Sequence, residues 1–220
     1  MSARLQRIIK MAKSTFSSRK GQITKLDDQL IKALNAVTLE DILTDPQAVF
    51  HLIKGLPLYY VDLYEDKNVS IGVFLLNKSG KIPLHDHPRM TGVIKCIEGS
   101  IKVSSYTSVE QAKEDGITLA TPHGDVIMSV STDPKMLTPT SQNIHEVHNA
   151  SASSPAAFLD LLSPPYNMPN TPVFSPRDEV RNCNYYEVVK SGDQASSEGV
   201  VKLKMVEKPE QFIAESLQNS

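Results

Sequence analysis

The feature that most constrains the fold of this chain is a run of short strand-like segments without helices between them. From Leu58 onward the sequence period is about two, and segments rich in β-branched and aromatic residues alternate with Gly, Pro, Asn or Asp turns. The predicted strands are 58–64, 69–76, 92–97, 101–106, 126–130, 144–148, 156–162 and 185–189. Such a set of strands must close on itself or stack as two sheets, so we predict an all-β barrel or jelly roll.

A helical segment precedes the strands. Its basic first helix is expected either to pack on the domain or to stay mobile, and the helices after it are predicted to be packing elements. Residues 1–26 carry seven Lys or Arg and no Asp or Glu. One helical face in this stretch collects apolar residues, namely Leu5, Ile8, Ile9 and Ala12. A second helix is predicted over 27–36, and Thr38 is predicted to begin a further helical turn. A basic, acid-free start is also typical of mitochondrial presequences, so a cytosolic location is expected and a mitochondrial one is the alternative.

Length and composition predict one domain with appendages. The chain has 220 residues, of which 40% are hydrophobic, enough to bury a core. The predicted divisions are the helical segment 1–57, the barrel 58–206 with a last strand at 200–206, and a solvated tail 207–220. Three stretches are predicted to connect strands: a surface excursion at 107–124, an ordered Pro-rich loop at 163–182 near the barrel mouth, and a flexible loop at 191–199.

Charge and cysteine usage narrow the range of partners. The net charge of −2 gives no reason to expect nucleic acid, and no apolar run is long enough to read as a membrane span. Cys96 and Cys183 make no disulfide framework, so a reducing compartment is expected and Cys96 is predicted to be core. We therefore expect no nucleic-acid or membrane partner, and we expect a monomer.

The strongest chemical signal is a pair of histidines on a predicted strand. His85 and His87 lie in the segment 82–88, two residues apart. Because side chains at i and i+2 point the same way in a strand, both imidazoles can meet one metal ion. Two ordinary surface histidines are the alternative interpretation. A third histidine, His145, ends the segment 139–145.

The other histidines are weaker candidates. His148 follows His145 by three residues, so a strand places the two on opposite faces and only one of them can join the pair. His51 and His123 lie outside these segments and are interpreted as ordinary polar residues.

The spacing of these residues resembles the two sequence boxes of the cupin superfamily. Four residues fill the first box and three fill the second: Gly80, His85, His87 and Gly99, then Pro139, His145 and Asn149. The glutamate usual in the first box is absent, and Gly92 stands in its place. A divalent ion held by three neutral imidazoles keeps its full charge and about three open positions, which an anionic thiolate and dioxygen could use.

A closer resemblance is to the cysteamine dioxygenase and plant cysteine oxidase family. Four blocks carry it in the family's order, namely 71–76, 82–88, 156–166 and 181–186, and the resemblance covers roughly residues 58–190. It implies a cupin double-stranded β-helix with amino-terminal helices, and Fe(II) held by His85, His87 and His145. His145 is preferred over His148 because it matches the family's third histidine.

The resemblance also implies a reaction. Both atoms of O2 would be added to the thiol of cysteamine or of an amino-terminal cysteine in a peptide or protein, giving hypotaurine or a cysteine sulfinic acid. On a protein, that product would mark the chain for oxygen-dependent degradation. Two alternatives remain: another cupin metalloenzyme, or a non-catalytic cupin that binds a metal or small molecule.

Asp160 is a candidate site residue because it stands between Leu159 and Leu161 in a strand that otherwise reads as core. A buried carboxylate is costly unless it is paired or hydrogen-bonded. One interpretation is a salt bridge that fixes the strand. The other, which the resemblance supports, is that Asp160 orients a metal-bound imidazole or receives the substrate's ammonium group.

Four further residues complete the candidate site. Cys183 and Tyr185 are two apart, so they share a strand face, and the sulfur and the ring could form a thioether crosslink near an oxygen-activating metal. An ordinary buried thiol beside a packed tyrosine is the alternative. Tyr166 is predicted to line the pocket. Arg89 stands where relatives commonly have Gly and adds a cation close to the histidine pair, which bears on substrate preference.

Overall fold

A computed structural model describes residues 1–17, 23–111, 116–167, 181–189, 199–209, 212 and 215–216. The helical elements are α1 Ala3–Ser17, α2 Asp28–Ala36 and α3 Pro46–Leu52, with 3-10 turns at Leu39–Asp41 and Ile53–Gly55. The strands are β1 Leu58–Glu65, β2 Ser70–Leu76, β3 Lys81–Asp86, β4 Thr91–Glu98, β5 Ser100–Gln111, β6 Ile117–Ser129, β7 Lys135–Leu137, β8 Ile144–Asn149, β9 Ala156–Ser163, β10 Tyr185–Val188, β11 Val201–Val206 and β12 Glu215–Ser216.

The strands form two sheets. One runs in the order β12-β1-β2-β9-β4-β7, and the other, β10-β11-β6-β5-β8-β3, closes on itself because β10 pairs with both β11 and β3. Neighbouring strands are antiparallel except for the parallel pair β1 and β12. The predicted all-β jelly-roll barrel with amino-terminal helices is therefore confirmed.

Strand alternation sorts apolar side chains into two layers. Between the sheets, a core from both of them includes Ile94, Cys96, Ile101, Val103, Leu137, Val147 and Phe158. On the other face of the β1 sheet, residues such as Val73, Val93, Leu159 and Leu161 pack against the buried faces of α1 and α2. The predicted packing of the basic helix on the barrel is thus observed, and the ion pair Lys13–Asp66, at 3.3 Å, adds to it.

The helices begin where the sequence supplies a cap. Asp27 accepts hydrogen bonds from the backbone N–H groups of Gln29 and Leu30, and Asp45 accepts one from Ala48 with Pro46 in the first turn. No helix among the described residues is long and apolar enough to cross a membrane.

The prediction of a surface excursion at 107–124 is wrong. β5 and β6 continue through it as one long hairpin, with Ser108 opposite Ala120 and Gln111 opposite Thr118; residues 112–115 lie outside the described ones. The error has a physical reason: Ser108 and His123 are exposed on these strands, so the sequence there lacks the apolar alternation that marks a half-buried strand.

The carboxyl-terminal part also differs in detail from the expectation. β11 corresponds to the predicted strand at 200–206. Farther on, Glu215–Ser216 pair with β1, and the ring of Phe212 lies 5.8 Å from that of Tyr185, so these parts of the expected tail contact the barrel. The predicted loops at 163–182 and 191–199 fall largely on residues 168–180 and 190–198, outside the described residues.

Candidate metal centre

Three histidines converge inside the closed sheet. His85 on β3 lies directly opposite His145 on β8, and His87 follows β3, where its backbone N–H donates to the carbonyl of Asn143 at 3.0 Å. The ring centroids are 4.8 Å apart for His85 and His87, 4.6 Å for His85 and His145, and 4.9 Å for His87 and His145. One ligand nitrogen from each lies within 4.8 Å of the others, so the arrangement has the dimensions of a metal site.

The burial and bonding of these imidazoles fit a metal ion. Only 8%, 2% and 3% of His85, His87 and His145 is exposed. Within the described part of the chain, Nε2 of His87 and Nδ1 of His145 are buried without a hydrogen-bond partner. Burial lowers the pKa of all three, and neighbouring imidazoles lower those of His87 and His145 further. Neutral imidazoles with free lone pairs are costly to bury unless a cation binds them.

Hydrogen bonds on the remaining nitrogens orient two of the rings. Nδ1 of His85 lies 2.8 Å from the carbonyl oxygen of Pro83, and Nδ1 of His87 lies 2.8 Å from the hydroxyl of Tyr166. The Tyr166 hydroxyl donates to the carbonyl oxygen of Asp86 at 2.5 Å, so it accepts from Nδ1–H of His87. This bonding leaves the lone pair of His87 on Nε2, where a metal ion can bind it.

Asp86, the residue between His85 and His87, lies at the candidate site and was missed by sequence analysis. Its carboxylate accepts hydrogen bonds from the backbone N–H of Asn184 at 2.9 Å, from the Asn184 side chain at 3.0 Å and from the Tyr186 hydroxyl at 2.9 Å. It therefore fastens the segment 181–189 to β3. The sequence did contain a signal for this role, namely an acidic residue between two histidines. In a strand, its side chain points to the face opposite to both imidazoles.

The fastened segment carries Cys183 and Tyr185. Tyr185 pairs with His85 across β10 and β3, and their rings are 6.5 Å apart. The Cys183 side chain hydrogen-bonds to Tyr166 and Tyr185, and burial raises the pKa of its thiol to about 11. The thiol is thus protonated at neutral pH and lies between two tyrosines beside the histidines; the crosslink stays a prediction.

Asp160 lies on β9 with its side chain on the face between the sheets. Asp160 is two residues from Phe158, which belongs to the core between the sheets, so the two side chains share that face. Leu159 and Leu161 point to the other face and pack toward the helices. Burial raises the pKa of its carboxyl to about 7. Among the described residues no Lys or Arg pairs with it, so the salt bridge considered from sequence is not found there.

Tyr60 stands beside Asp160 because the intervening residue is a glycine. Gly72 on β2 pairs with Asp160, and a Cβ at Gly72 would lie 2.2 Å from the Tyr60 hydroxyl. The charge of Asp160 also contributes to raising the pKa of Tyr60. Sequence reasoning missed Tyr60, because nothing local distinguishes it from its strand neighbours.

The remaining candidates lie away from the three rings. Arg89 is exposed in the turn after β3 with φ of 57°, a conformation that glycine adopts more readily. His148 lies on the opposite face of β8 from His145, with Nε2 3.1 Å from the Glu146 carboxylate. His51 and His123 are exposed, and Cys96 is buried in the core between the sheets, as expected.

Comparison with known proteins locates this arrangement within a family. The PCO_ADO family profile matches residues 33–219. The 2-aminoethanethiol dioxygenase of Mus musculus is 30% identical over 153 residues, covering 61% of this chain and 56% of the mouse protein. Plant cysteine oxidase 1 of Arabidopsis thaliana is 29% identical over 194 residues, covering 83% of this chain and 62% of that protein. The matches thus span little more than half of these relatives.

Among solved structures, an oxalate oxidase in complex with the substrate analogue glycolate is similar at 14% identity with a TM-score of 0.38. That match covers 50% of this chain and 52% of the oxalate oxidase.

Proposed function

Because the chain belongs to the PCO_ADO family, we propose that it is an iron(II)-dependent thiol dioxygenase. The reaction is RSH + O2 → RSO2H, in which sulfur gives up four electrons and dioxygen accepts them, so no further reductant is needed. The observation that carries the proposal is the buried cluster of three neutral imidazoles with unpartnered nitrogens on His87 and His145.

His85, His87 and His145 would hold the metal ion. When bound, iron(II) supplies Lewis acidity that favours the thiolate and redox chemistry toward dioxygen. The protein's part is to keep the three imidazoles neutral by burial and to orient them through Pro83 and Tyr166. The absence of a carboxylate ligand leaves the site able to take an anionic thiolate at little electrostatic cost.

The substrate class follows from the groups that line the barrel interior. We propose aminothiols with the thiol and amine two carbons apart, as in cysteamine and in peptides that begin with cysteine. Asp160 would accept a hydrogen bond from the substrate ammonium group, since a cation would favour its ionised form against burial. The relatives named for 2-aminoethanethiol and for cysteine support both substrates.

Tyr166, Cys183 and Tyr185 would cover the site from the side of the segment 181–189. The Cys183 side chain hydrogen-bonds to both tyrosines, and the Tyr166 hydroxyl bonds to His87, so these three side chains would limit the access of water to the metal ion. On a protein substrate the sulfinic acid is essentially irreversible, which suits a signal for degradation under ample oxygen. The free thiols Cys96 and Cys183 support action in a reducing compartment, which we propose to be the cytosol.

The test is anaerobic loading with iron(II), then exposure to oxygen with a Cys-initiated peptide, cysteamine or cysteine, read by mass spectrometry. A gain of two oxygen atoms, abolished in His85→Ala, supports the proposal. His148→Ala is the matched control, because that imidazole lies on the opposite face of β8 from His145. Bound iron without any thiol oxidation would overturn it and favour another cupin metalloenzyme or a binding protein.

A further inference from the structure

Two strands from different sheets present side chains to the same interior space. His145 on β8 is two residues from Val147, and Asp160 on β9 is two residues from Phe158. Val147 and Phe158 both belong to the core between the sheets. Because side chains at i and i+2 of a strand share a face, His145 and Asp160 also point into the space between the sheets.

His145 and Asp160 lie at the same end of that core. The turn at Gly99 joins β4 to β5, and Asp160 pairs with Ile94 on β4 while His145 pairs with Ser105 on β5. Their core neighbours on β9 and β8 pair nearer to the turn, so both strands run away from it toward these two residues. Facing sheets pack about 10 Å apart, so a small ligand at the histidines can reach Asp160.

Tyr60 contributes a hydroxyl to the same space. Gly72 on β2 pairs directly with Asp160, and a Cβ at Gly72 would lie 2.2 Å from the Tyr60 hydroxyl. Directly opposed Cβ positions of an antiparallel pair lie about 4.5–5.5 Å apart. The Tyr60 hydroxyl therefore occupies the side-chain position of Gly72, next to the side chain of Asp160.

Aromatic contacts hold the Tyr60 ring in this position. Its centroid lies 4.9 Å from that of Phe74, and the Phe74 ring stacks on Phe158 at 5.2 Å. Tyr60 and Phe74 are also directly paired across β1 and β2. A ring fixed in this way presents its hydroxyl at a defined point, which lowers the entropy cost of binding a ligand there.

The two polar groups are open to a ligand. Within the part of the chain that the structure describes, neither the Tyr60 hydroxyl nor the Asp160 carboxyl has a hydrogen-bond partner, and both residues are partly buried. Polar groups in protein interiors are nearly always hydrogen-bonded. Two unpaired oxygen-bearing groups side by side in an interior space are therefore suited to binding a ligand that donates hydrogen bonds.

We propose that Tyr60 is a substrate-binding residue that determines specificity for aminothiols: its hydroxyl oxygen accepts a hydrogen bond from the same ammonium group that Asp160 binds. This inference rests on the proposed function and deepens it. An ammonium group has three N–H donors, so it can bond to both side chains at once. A Tyr60 that serves only to pack against Phe74 would affect aminothiols and simple thiols alike.

The test compares two thiols of equal length, cysteamine and 1-propanethiol, in which a methyl group replaces the ammonium group. Tyr60→Phe removes only the hydroxyl and keeps the ring contact with Phe74. We expect it to weaken cysteamine binding to the iron-loaded protein by at least about tenfold, the effect of losing a hydrogen bond to a charged group. Binding of 1-propanethiol should stay unchanged. Anaerobic titration calorimetry measures both affinities.

Tyr64→Phe is the matched control on the same strand, because the Tyr64 hydroxyl bonds to Asp66 outside the site. An equal loss of affinity for both thiols in Tyr60→Phe, unchanged cysteamine binding, or a wild type that binds both thiols equally would overturn the inference. If the wild type oxidises neither cysteamine nor a Cys-initiated peptide, the proposed function fails, and the cysteamine-to-propanethiol affinity ratio still decides the role of Tyr60.

Discussion

The hydroxyl of Tyr166 lies 2.8 Å from Nδ1 of His87, although the two residues are 79 positions apart in the chain. The same hydroxyl donates its hydrogen to the carbonyl oxygen of Asp86, so it accepts a hydrogen bond from Nδ1–H of His87. A residue from the stretch after β9 thus sets the tautomer of an imidazole in the candidate metal site. Tyr166 is therefore a positioning residue for His87, whereas the sequence predicted only that it lines the pocket.

Replacing Tyr166 by Phe should weaken metal binding. Loss of a partner that orients a ligand imidazole typically costs about 10-fold to 100-fold in affinity. Competition with a chromophoric chelator measures the dissociation constant directly. Tyr64→Phe is the control, because the Tyr64 hydroxyl bonds to Asp66 outside the site. Equal affinities in the two variants would contradict a positioning role for Tyr166.

Replacing Asp86 by Ala should loosen the segment 181–189 and expose Cys183. The change leaves the N–H of Asn184 and the hydroxyl of Tyr186 without their shared acceptor. Hydrogen bonds to a charged group contribute roughly 1.5–3 kcal/mol each, so the melting temperature should fall as well. The measurement is the rate of iodoacetamide labelling at Cys183 in metal-free protein, resolved by peptide mass spectrometry.

Cys96 provides the internal control for that measurement. It is fully buried in the core between the sheets, and burial raises the pKa of its thiol to about 11. Its labelling should stay slow in both proteins. If Cys183 is labelled in Asp86→Ala at the wild-type rate, or if the labelling of Cys96 rises in parallel because the whole protein unfolds, Asp86 does not fasten the segment 181–189 locally.

The raised pKa of Asp160 predicts a pH-dependent stability. Its value of about 7 in the folded chain exceeds the ordinary 3.8, so between these values the folded state binds more protons than the unfolded state. The contribution of this carboxyl to the free energy of unfolding is fully present below pH 3.8, the ordinary pKa, and is lost as the pH rises through about 7, the pKa in the folded chain. Asp160→Asn should therefore match wild type near pH 4 and exceed its free energy of unfolding near pH 8.

Urea denaturation of metal-free protein at the two pH values checks this. Glu98→Gln, at an exposed end of β4, controls for the removal of one negative charge. If Asp160→Asn and wild type lose stability equally between the two pH values, the carboxyl of Asp160 does not titrate as described.

Gly72→Ala should destabilise the fold by displacing Tyr60. The added Cβ would lie 2.2 Å from the Tyr60 hydroxyl, and overpacking of this kind typically costs about 1–3 kcal/mol. Gly55→Ala is the matched control, since nothing lies within 4 Å of a Cβ built there. Thermal unfolding compares the two, and Tyr60→Leu in the Gly72→Ala background should recover part of the loss. Equal melting temperatures in the two alanine variants would contradict the close approach.

The strands that bury an apolar face were predictable, whereas those with two exposed or mixed faces were not. β1, β2, β4 and β9 follow from alternation and β-branched content alone. The outer parts of β5 and β6 are polar, and β7, with the three residues Lys135–Leu137, is too short to show a period. These strands are stabilised by their pairing with neighbours, which no local window contains.

The sequence by itself determined the fold class and the histidine pair, because a period of two and a spacing of two are local properties of one strand. For the third histidine of the site, the choice of His145 over His148 depended also on the family resemblance. Only the tertiary structure paired His145 with His85, fastened Asn184 to Asp86, and placed the Tyr166 hydroxyl beside His87. These relationships depend on the register between strands distant in the chain, which is set by the packing of both sheets together.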